Sequence, residues 1–205
     1  STLSSADVET CDQETASSTF RELVSELVSL EAYEATRNLE VVDKPIETPV
    51  APMVGKQIAK PRPIIVPVLR AGLGMLDGMT RMMPSAEVGF LGMKRDEEHP
   101  TQQITYANRL PDDLSGRQCF LIDPMLATGG TLVTATHYLM DKGAKDVTAI
   151  CIIAAPEGIK FVEENIREDI NFRVVVCGVD EGLNGKSYIV PGLGDAGDRL
   201  YGVID

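Results

Sequence analysis

Five short runs of branched apolar residues recur along the chain, each followed by polar or glycine-rich sequence. They are Ile64–Leu69, residues 88–93, Gln118–Ile122, residues 147–154 and residues 173–179. Between most of them lie segments of helical period: a short one ending near Met82, then residues 131–140 and 157–166. Strands that alternate with helices imply a mostly parallel, doubly wound α/β sheet covered on both faces. Ligands in such sheets bind beyond the carboxyl ends of the strands, near the point where strand order reverses. The loops after Leu69, Met93, Ile122 and Val179 are therefore where chemistry is expected.

The rest of the chain fits one domain spanning residues 1–205, enough to bury a single core. Residues 17–36 read as an amphipathic helix carrying Phe20, Leu23, Val24, Leu27 and Val28 at helical spacing. Thr19 and Glu22 have the spacing of a capping box. Residues 39–52, rich in Val, Ile and Pro, suit an extended β-arm more than a core strand. The polar stretch 94–111 reads as a mobile loop or hairpin, long enough to imply function. Gly143 is expected to stop the helix before it. From Asp180 the chain turns glycine-rich, with a last strand expected at residues 200–204.

Composition narrows the partners. A net charge of −12 argues against nucleic acid and anionic membranes, which need clustered Lys and Arg. The longest apolar run, residues 147–155, is far short of the roughly 18 residues that cross a bilayer. Cys11, Cys119, Cys151 and Cys177 lack paired spacing, and three sit in or beside apolar runs. Buried reduced thiols and a cytoplasmic setting are expected. The chain starts at Ser1 without Met and without a signal pattern, so upstream residues are expected to have been removed.

Three loops and one long polar turn carry chemistry. After the strand ending at Ile122 come Asp123, Pro124, Met125, Leu126, Ala127, Thr128, Gly129, Gly130 and Thr131. Paired glycines let the backbone approach an anion, and a helix start aims free N–H groups at it. Thr128 and Thr131 add hydroxyls, and Asp123 stands at the strand tip, placed to accept sugar hydroxyls. An ordinary tight turn with a Thr cap remains the plain alternative. Arg70, ending a strand and followed by Ala-Gly-Leu-Gly, offers a bidentate group to a polyanion. Lys94 and Arg95 open the long polar segment, whose Asp96, Glu97 and Glu98 read as a solvated charge run. His99 has no visible catalytic partner. Last comes YIVPGLGDAGDR, residues 188–199. Its Gly192, Gly194 and Gly197 formally match a dinucleotide fingerprint, but only eight residues follow. Gly185-Lys186-Ser187 ends like a P-loop, yet Asp180 stands where its leading glycine belongs. Both nucleotide motifs are rejected. Free backbone groups of such a loop suit the acceptor–donor–acceptor edge of a pyrimidine instead.

Together, DPMLATGGT, VLRAGLGM and YIVPGLGDAGDR resemble the uracil phosphoribosyltransferase branch of the type I phosphoribosyltransferases, in the right order and across nearly the whole chain. The resemblance implies that family's fold, with the β-arm and a C-terminal hood, residues 180–199, over the base site. It implies transfer of ribose 5-phosphate from phosphoribosyl diphosphate (PRPP) to N1 of uracil, giving UMP and diphosphate. Arg70, Arg95 and Asp123 are then catalytic, Arg70, Arg95, residues 123–131 and Asp195 bind PRPP, and Ile189, Gly194, Asp195 and Ala196 bind uracil. Pro124 replaces an acidic residue that many relatives carry, so Mg²⁺ is expected to be held mainly through PRPP and water, with no direct protein ligand. A homodimer or larger homo-oligomer through the arm, and GTP as an effector, are also implied. A purine phosphoribosyltransferase is the alternative within the class; an RNA-binding sensor that keeps the PRPP loop is the alternative outside it.

Overall fold

The computed structural model describes residues 8–96, 98–99 and 102–203, with Arg95 described through its backbone alone. Helix α1 (Ser17–Ala35) leads into a two-stranded arm, β1 (Val41–Glu47) and β2 (Pro52–Ile58). Then follow β3 (Ile64–Leu69), α2 (Leu73–Met82), β4 (Glu87–Val88), β5 (Phe90–Arg95) and β6 (Gln103–Arg109). After them come β7 (Gln118–Ile122), β8 (Met125–Leu126), α3 (Gly130–Asp141), β9 (Asp146–Ala154), α4 (Pro156–Asn165) and β10 (Asn171–Val179). The chain closes with β11 (Gly182–Leu183), β12 (Ile189–Val190) and α5 (Ala196–Tyr201).

The main sheet runs β10-β9-β7-β3-β5-β6, with β4 beside β3 and β8 beside β9. Every pairing is parallel except β5 with β6. Its strands read as unbroken apolar runs because both faces are buried. Ile65, Phe120, Ile122, Ile150 and Ile152 face one core with α1 and α2. Ile64, Val66, Cys119, Leu121, Ala149 and Cys151 face the other, with α3 and α4. Burial pushes the Cys119 thiol up to about 12 and the Cys151 thiol well above its ordinary value, which leaves both inert. Cys11, by contrast, is exposed.

Several boundaries differ from the sequence reading. The capping box does not form: α1 is capped by Ala16, which puts Thr19 inside the first turn, and no side chain caps the helix. Its start is tied instead by Arg21, whose guanidinium donates to the Leu200 carbonyl at 2.7 Å. The arm extends past Pro52 to Ile58, because the turn at residues 48–51 lets a second strand pair with the first. The polar stretch 94–111 is the far part of the β5–β6 hairpin, paired from Phe90–Arg109 to Arg95–Gln103. The expected strand at 200–204 is not formed in the described part. Leu200 and Tyr201 end α5, a helix that Asp195 caps by accepting from the Asp198 N–H at 2.9 Å. Gly143 does stop α3, in the left-handed region at φ 98°. The N-terminal segment before Val8 lies outside the described residues, as do Glu97 and Ile204.

Candidate active site

Strands β3 and β7 are neighbours, and the chain leaves them in opposite directions, through α2 to β5 on one side and through α3 to β9 on the other. Their carboxyl ends therefore bound a crevice, the position that a doubly wound sheet reserves for ligands. The loop after β3 coils directly over the end of β7. A Cβ on Gly72 would stand 2.5 Å from the Ile122 carbonyl oxygen and 2.6 Å from that of Val68. Only glycine allows the two loops this approach. Arg70 is exposed above it, across a cis Leu69–Arg70 peptide. Arg95 ends β5, three residues beyond Gly92, which pairs with Leu69.

Beyond β7 the backbone does not leave the sheet at once. The Pro124 carbonyl accepts from the Ile152 N–H at 2.8 Å, and Met125 and Leu126 pair with Ile153 and Ala154. Proline fits here because its missing N–H is not needed. The chain then turns outward at Ala127 and Thr128 and enters α3 through Gly129, at φ 86°. That left-handed conformation is open to glycine at little cost. The first helical bond runs from the Val133 N–H to the Gly129 carbonyl, so the N–H groups of Gly130, Thr131 and Leu132 have no partner within the helix. Thr131 and Leu132 line a pocket of about 120 Å³, with residues 125–129 and Ser187 as its other walls. Helix α4 backs this loop closely: a Cβ on Gly158 would meet the Ala127 carbonyl oxygen at 2.3 Å.

Asp123 is half-buried at the tip of β7. Loss of water around its carboxyl pushes the pKa up to about 7, against a smaller opposing effect of the Met125 N–H. A buried carboxylate of this kind is stabilised by hydroxyl donors or a cation brought by a ligand.

The hood crosses the same crevice. Asp180 accepts from the Gly192 N–H at 2.9 Å, and Gly192, at φ 64°, follows a cis Val190–Pro191 peptide. Gly194, at φ 83°, has open space where a side chain would project. Ile189 and Ala196 are buried, at 3% and 5% exposure. A Cβ on Gly197 would lie 3.8 Å from an Arg70 guanidinium nitrogen and 3.2 Å from Asp195 Oδ1, which brings hood and diphosphate-type loop together. Arg199 is structural: it donates to the carbonyls of Leu193 and Asp12, each at 2.8 Å, and stacks 4.5 Å from the Phe20 ring centroid.

Asp180, Glu157, Gly158 and Ser187 went unassigned in the sequence reading. Gly158 was findable, as a glycine in the first turn of a helix where alanine is favoured. The other three act through long-range contacts without a local signature.

A phosphate-sized pocket at a helix start, a lone carboxylate at the neighbouring strand tip and a hood over both define a type I phosphoribosyltransferase. The fold matches a hypoxanthine phosphoribosyltransferase from Staphylococcus aureus at TM-score 0.53 and 11% identity, over 80% of this chain and 76% of that one. It matches the AQ2163 protein from Aquifex aeolicus at TM-score 0.90 and 38% identity, over 98% of this chain and 95% of that one. Residues 9–203 match the family described as uracil phosphoribosyltransferase, and the chain belongs to that family. A uracil phosphoribosyltransferase from Bifidobacterium animalis subsp. lactis (strain AD011) is 98% identical over 194 residues, 95% of this chain and 91% of that one.

Proposed function

We propose that this chain transfers the ribose 5-phosphate of PRPP to N1 of uracil, forming UMP and diphosphate in pyrimidine salvage. The observation that carries the proposal is the meeting of Arg70 and the hood at Gly197, over a crevice whose other wall is Asp123 and the phosphate pocket. The α3 start, with Thr128 and Thr131, holds the 5-phosphate. Asp123 accepts from the ribose hydroxyls and fixes the ring. Cleavage of the C1–O bond leaves an oxocarbenium-like sugar, and Arg70 and Arg95 stabilise the departing diphosphate. The backbone of Ile189 and of Gly194, Asp195 and Ala196 reads the uracil edge. Cytosine reverses polarity at two of these positions and leaves buried groups unpaired.

The donor set fits Mg²⁺ held at second hand. Asp123, next to Pro124, is the carboxylate at the strand tip, so PRPP and water would complete the shell. The ion would supply charge neutralisation on the diphosphate.

A purine substrate is disfavoured by the family match, and the net charge of −12 disfavours an RNA-binding sensor. No helix among the described residues is long and apolar enough to cross a membrane; the proposed setting is the cytoplasm. The arm exposes Val41, Val42, Ile46, Met53 and Val54, which supports a homodimer or larger homo-oligomer joined there. GTP as an effector comes with the family resemblance.

The test is diphosphate release from PRPP and Mg²⁺ with uracil, cytosine, hypoxanthine or orotate, with and without GTP. Activity on uracil alone is expected, and activity on hypoxanthine but not uracil would refute the proposal. A fully active monomer in sedimentation would remove the arm from it.

A further inference from the structure

The turn joining β11 to β12 reaches beyond the base-reading part of the hood. Its Ser187 lines the pocket of about 120 Å³ that the start of α3 and the preceding loop otherwise enclose. All the other lining residues lie between Met125 and Leu132, so Ser187 is the pocket's sole wall from the hood side.

Ser187 is also held there at a cost. Its φ is 65°, and among the described residues no other non-glycine has a positive φ. An L-residue is disfavoured in that region, a penalty that glycine would avoid. Four bonds fix the turn. The Asn184 side-chain oxygen accepts from the N–H groups of Lys186 and Tyr188 at 2.9 and 3.0 Å, the Ser187 N–H donates to the Asn184 carbonyl at 2.9 Å, and the Asn184 N–H donates to the Tyr188 carbonyl at 2.9 Å. A fifth bond anchors the hairpin to α4, where Glu157 Oε1 accepts from the Leu183 N–H at 3.1 Å. The next residue of α4, Gly158, packs on the phosphate loop. One helix thus sets both walls of the pocket.

We propose that Ser187 is a further substrate-binding residue, whose hydroxyl donates to the 5-phosphate of PRPP and of UMP from the hood side. This rests on the reading of the pocket as the 5-phosphate site. The N–H groups of Gly130, Thr131 and Leu132 and the two threonine hydroxyls come from the loop and helix side. A tetrahedral oxyanion held by them keeps oxygen directed outward, toward the hood. The hydroxyl is what serine adds over glycine at this position, and a hydrogen bond to a charged phosphate exceeds a neutral one. Two residues later the same hairpin presents Ile189 to the base. Phosphate occupancy therefore steadies the uracil-reading backbone, so PRPP should raise affinity for uracil.

Ser187→Gly and Ser187→Ala test this, the first relieving the backbone and the second keeping it constrained. Calorimetry of UMP and of uridine, with steady-state kinetics, gives the readouts. Both variants should bind UMP about tenfold more weakly, with a similar rise in KM for PRPP. Uridine, which lacks the phosphate, should bind unchanged, and Ser187→Gly should melt no lower than the wild type. UMP affinity within twofold of wild type in both variants would overturn the proposal. So would an equal loss for uridine, which would make the turn merely structural. Wild-type protein that forms no UMP would sink the functional reading itself, whereas active wild type with indistinguishable variants would sink only the role of Ser187.

Discussion

Gly158→Ala adds one methyl group at the tightest contact behind the phosphate pocket. The new Cβ would stand 2.3 Å from the Ala127 carbonyl oxygen, and 3.0 Å from both the Ala127 carbonyl carbon and the Leu126 carbonyl oxygen. All three are backbone atoms, so no side chain can swing away. Relief requires α4 or the phosphate loop to retreat by about 1 Å, and overpacking of this sort costs about 1–3 kcal/mol. Alanine in place of glycine within a helix returns about 0.8–1 kcal/mol. The net loss of stability should be about 0–2 kcal/mol, read by urea unfolding. Activity should suffer more, because the atoms pushed belong to the loop proposed to hold the 5-phosphate. A displacement of about 1 Å can cost on the order of 100-fold in rate. The expected fall in kcat/KM for PRPP is thus about 10- to 100-fold, measured as diphosphate release. Gly178→Ala is the control: a Cβ there meets nothing within 4 Å, and it should change stability by less than about 0.5 kcal/mol. Gly158→Ala with stability raised and activity within threefold of wild type would refute the reasoning.

Asp123→Asn should lower turnover by at least about tenfold, equivalent to ~1.4 kcal/mol of barrier. The wild-type carboxyl, raised to about 7 from an ordinary 3.8, should give kcat/KM for PRPP an acidic limb near neutrality that the Asn variant lacks. A raised folded-state pKa means that the folded protein holds this proton more tightly than the unfolded chain. Stability from this group is therefore fully present below about pH 4 and is lost as pH rises through about 7. Denaturation at pH 8 should accordingly find Asp123→Asn more stable than wild type, and a less stable variant would show that the carboxylate is welcome in the free site. Arg199→Ala removes two hydrogen bonds and the contact with Phe20. It should destabilise by about 2–3 kcal/mol in urea unfolding and raise KM for uracil. Asp180→Ala leaves the Gly192 N–H without its acceptor; KM for uracil should rise several-fold while KM for PRPP stays within twofold, as steady-state kinetics with each substrate varied would show.

Strands β3 and β7 were legible to the residue because a strand buried on both faces is an uninterrupted apolar run between breakers. The loops after them were legible for a related reason. A backbone that must meet an anion needs glycines and hydroxyls at fixed spacing, and these are local. The start of α1 at Ser17 was legible, but its cap was misread because Ala16 stands there and the turn is tied by Arg21 to Leu200, a contact across 179 residues. The last strand was misread because Leu200 is apolar for another purpose: it is fully buried against α1 and α2. Asp180 and Glu157 were silent in sequence, since an acid that accepts from a distant N–H looks like any surface acid.

The rejected motifs show how far spacing alone can mislead. Gly192, Gly194 and Gly197 have the fingerprint of a dinucleotide loop, yet each serves a different need. Gly192 turns the chain where Asp180 captures its N–H, Gly194 leaves its face open, and Gly197 lies in the first turn of α5, close to Asp195 Oδ1. The P-loop-like Gly185-Lys186-Ser187 fails as a P-loop because it tips a two-stranded hairpin and opens no helix. Its Ser187 still reaches the phosphate pocket, from the side opposite α3. With the proposed role of Ser187, anion recognition returns to that segment through tertiary placement, although the local P-loop motif was false. Both ends of the chain then bear on the site: Asp12 and α1 hold Arg199 and Leu200, and those residues fix the hood. Loosening the N-terminal segment should therefore loosen the hood before it reaches the loop after β7.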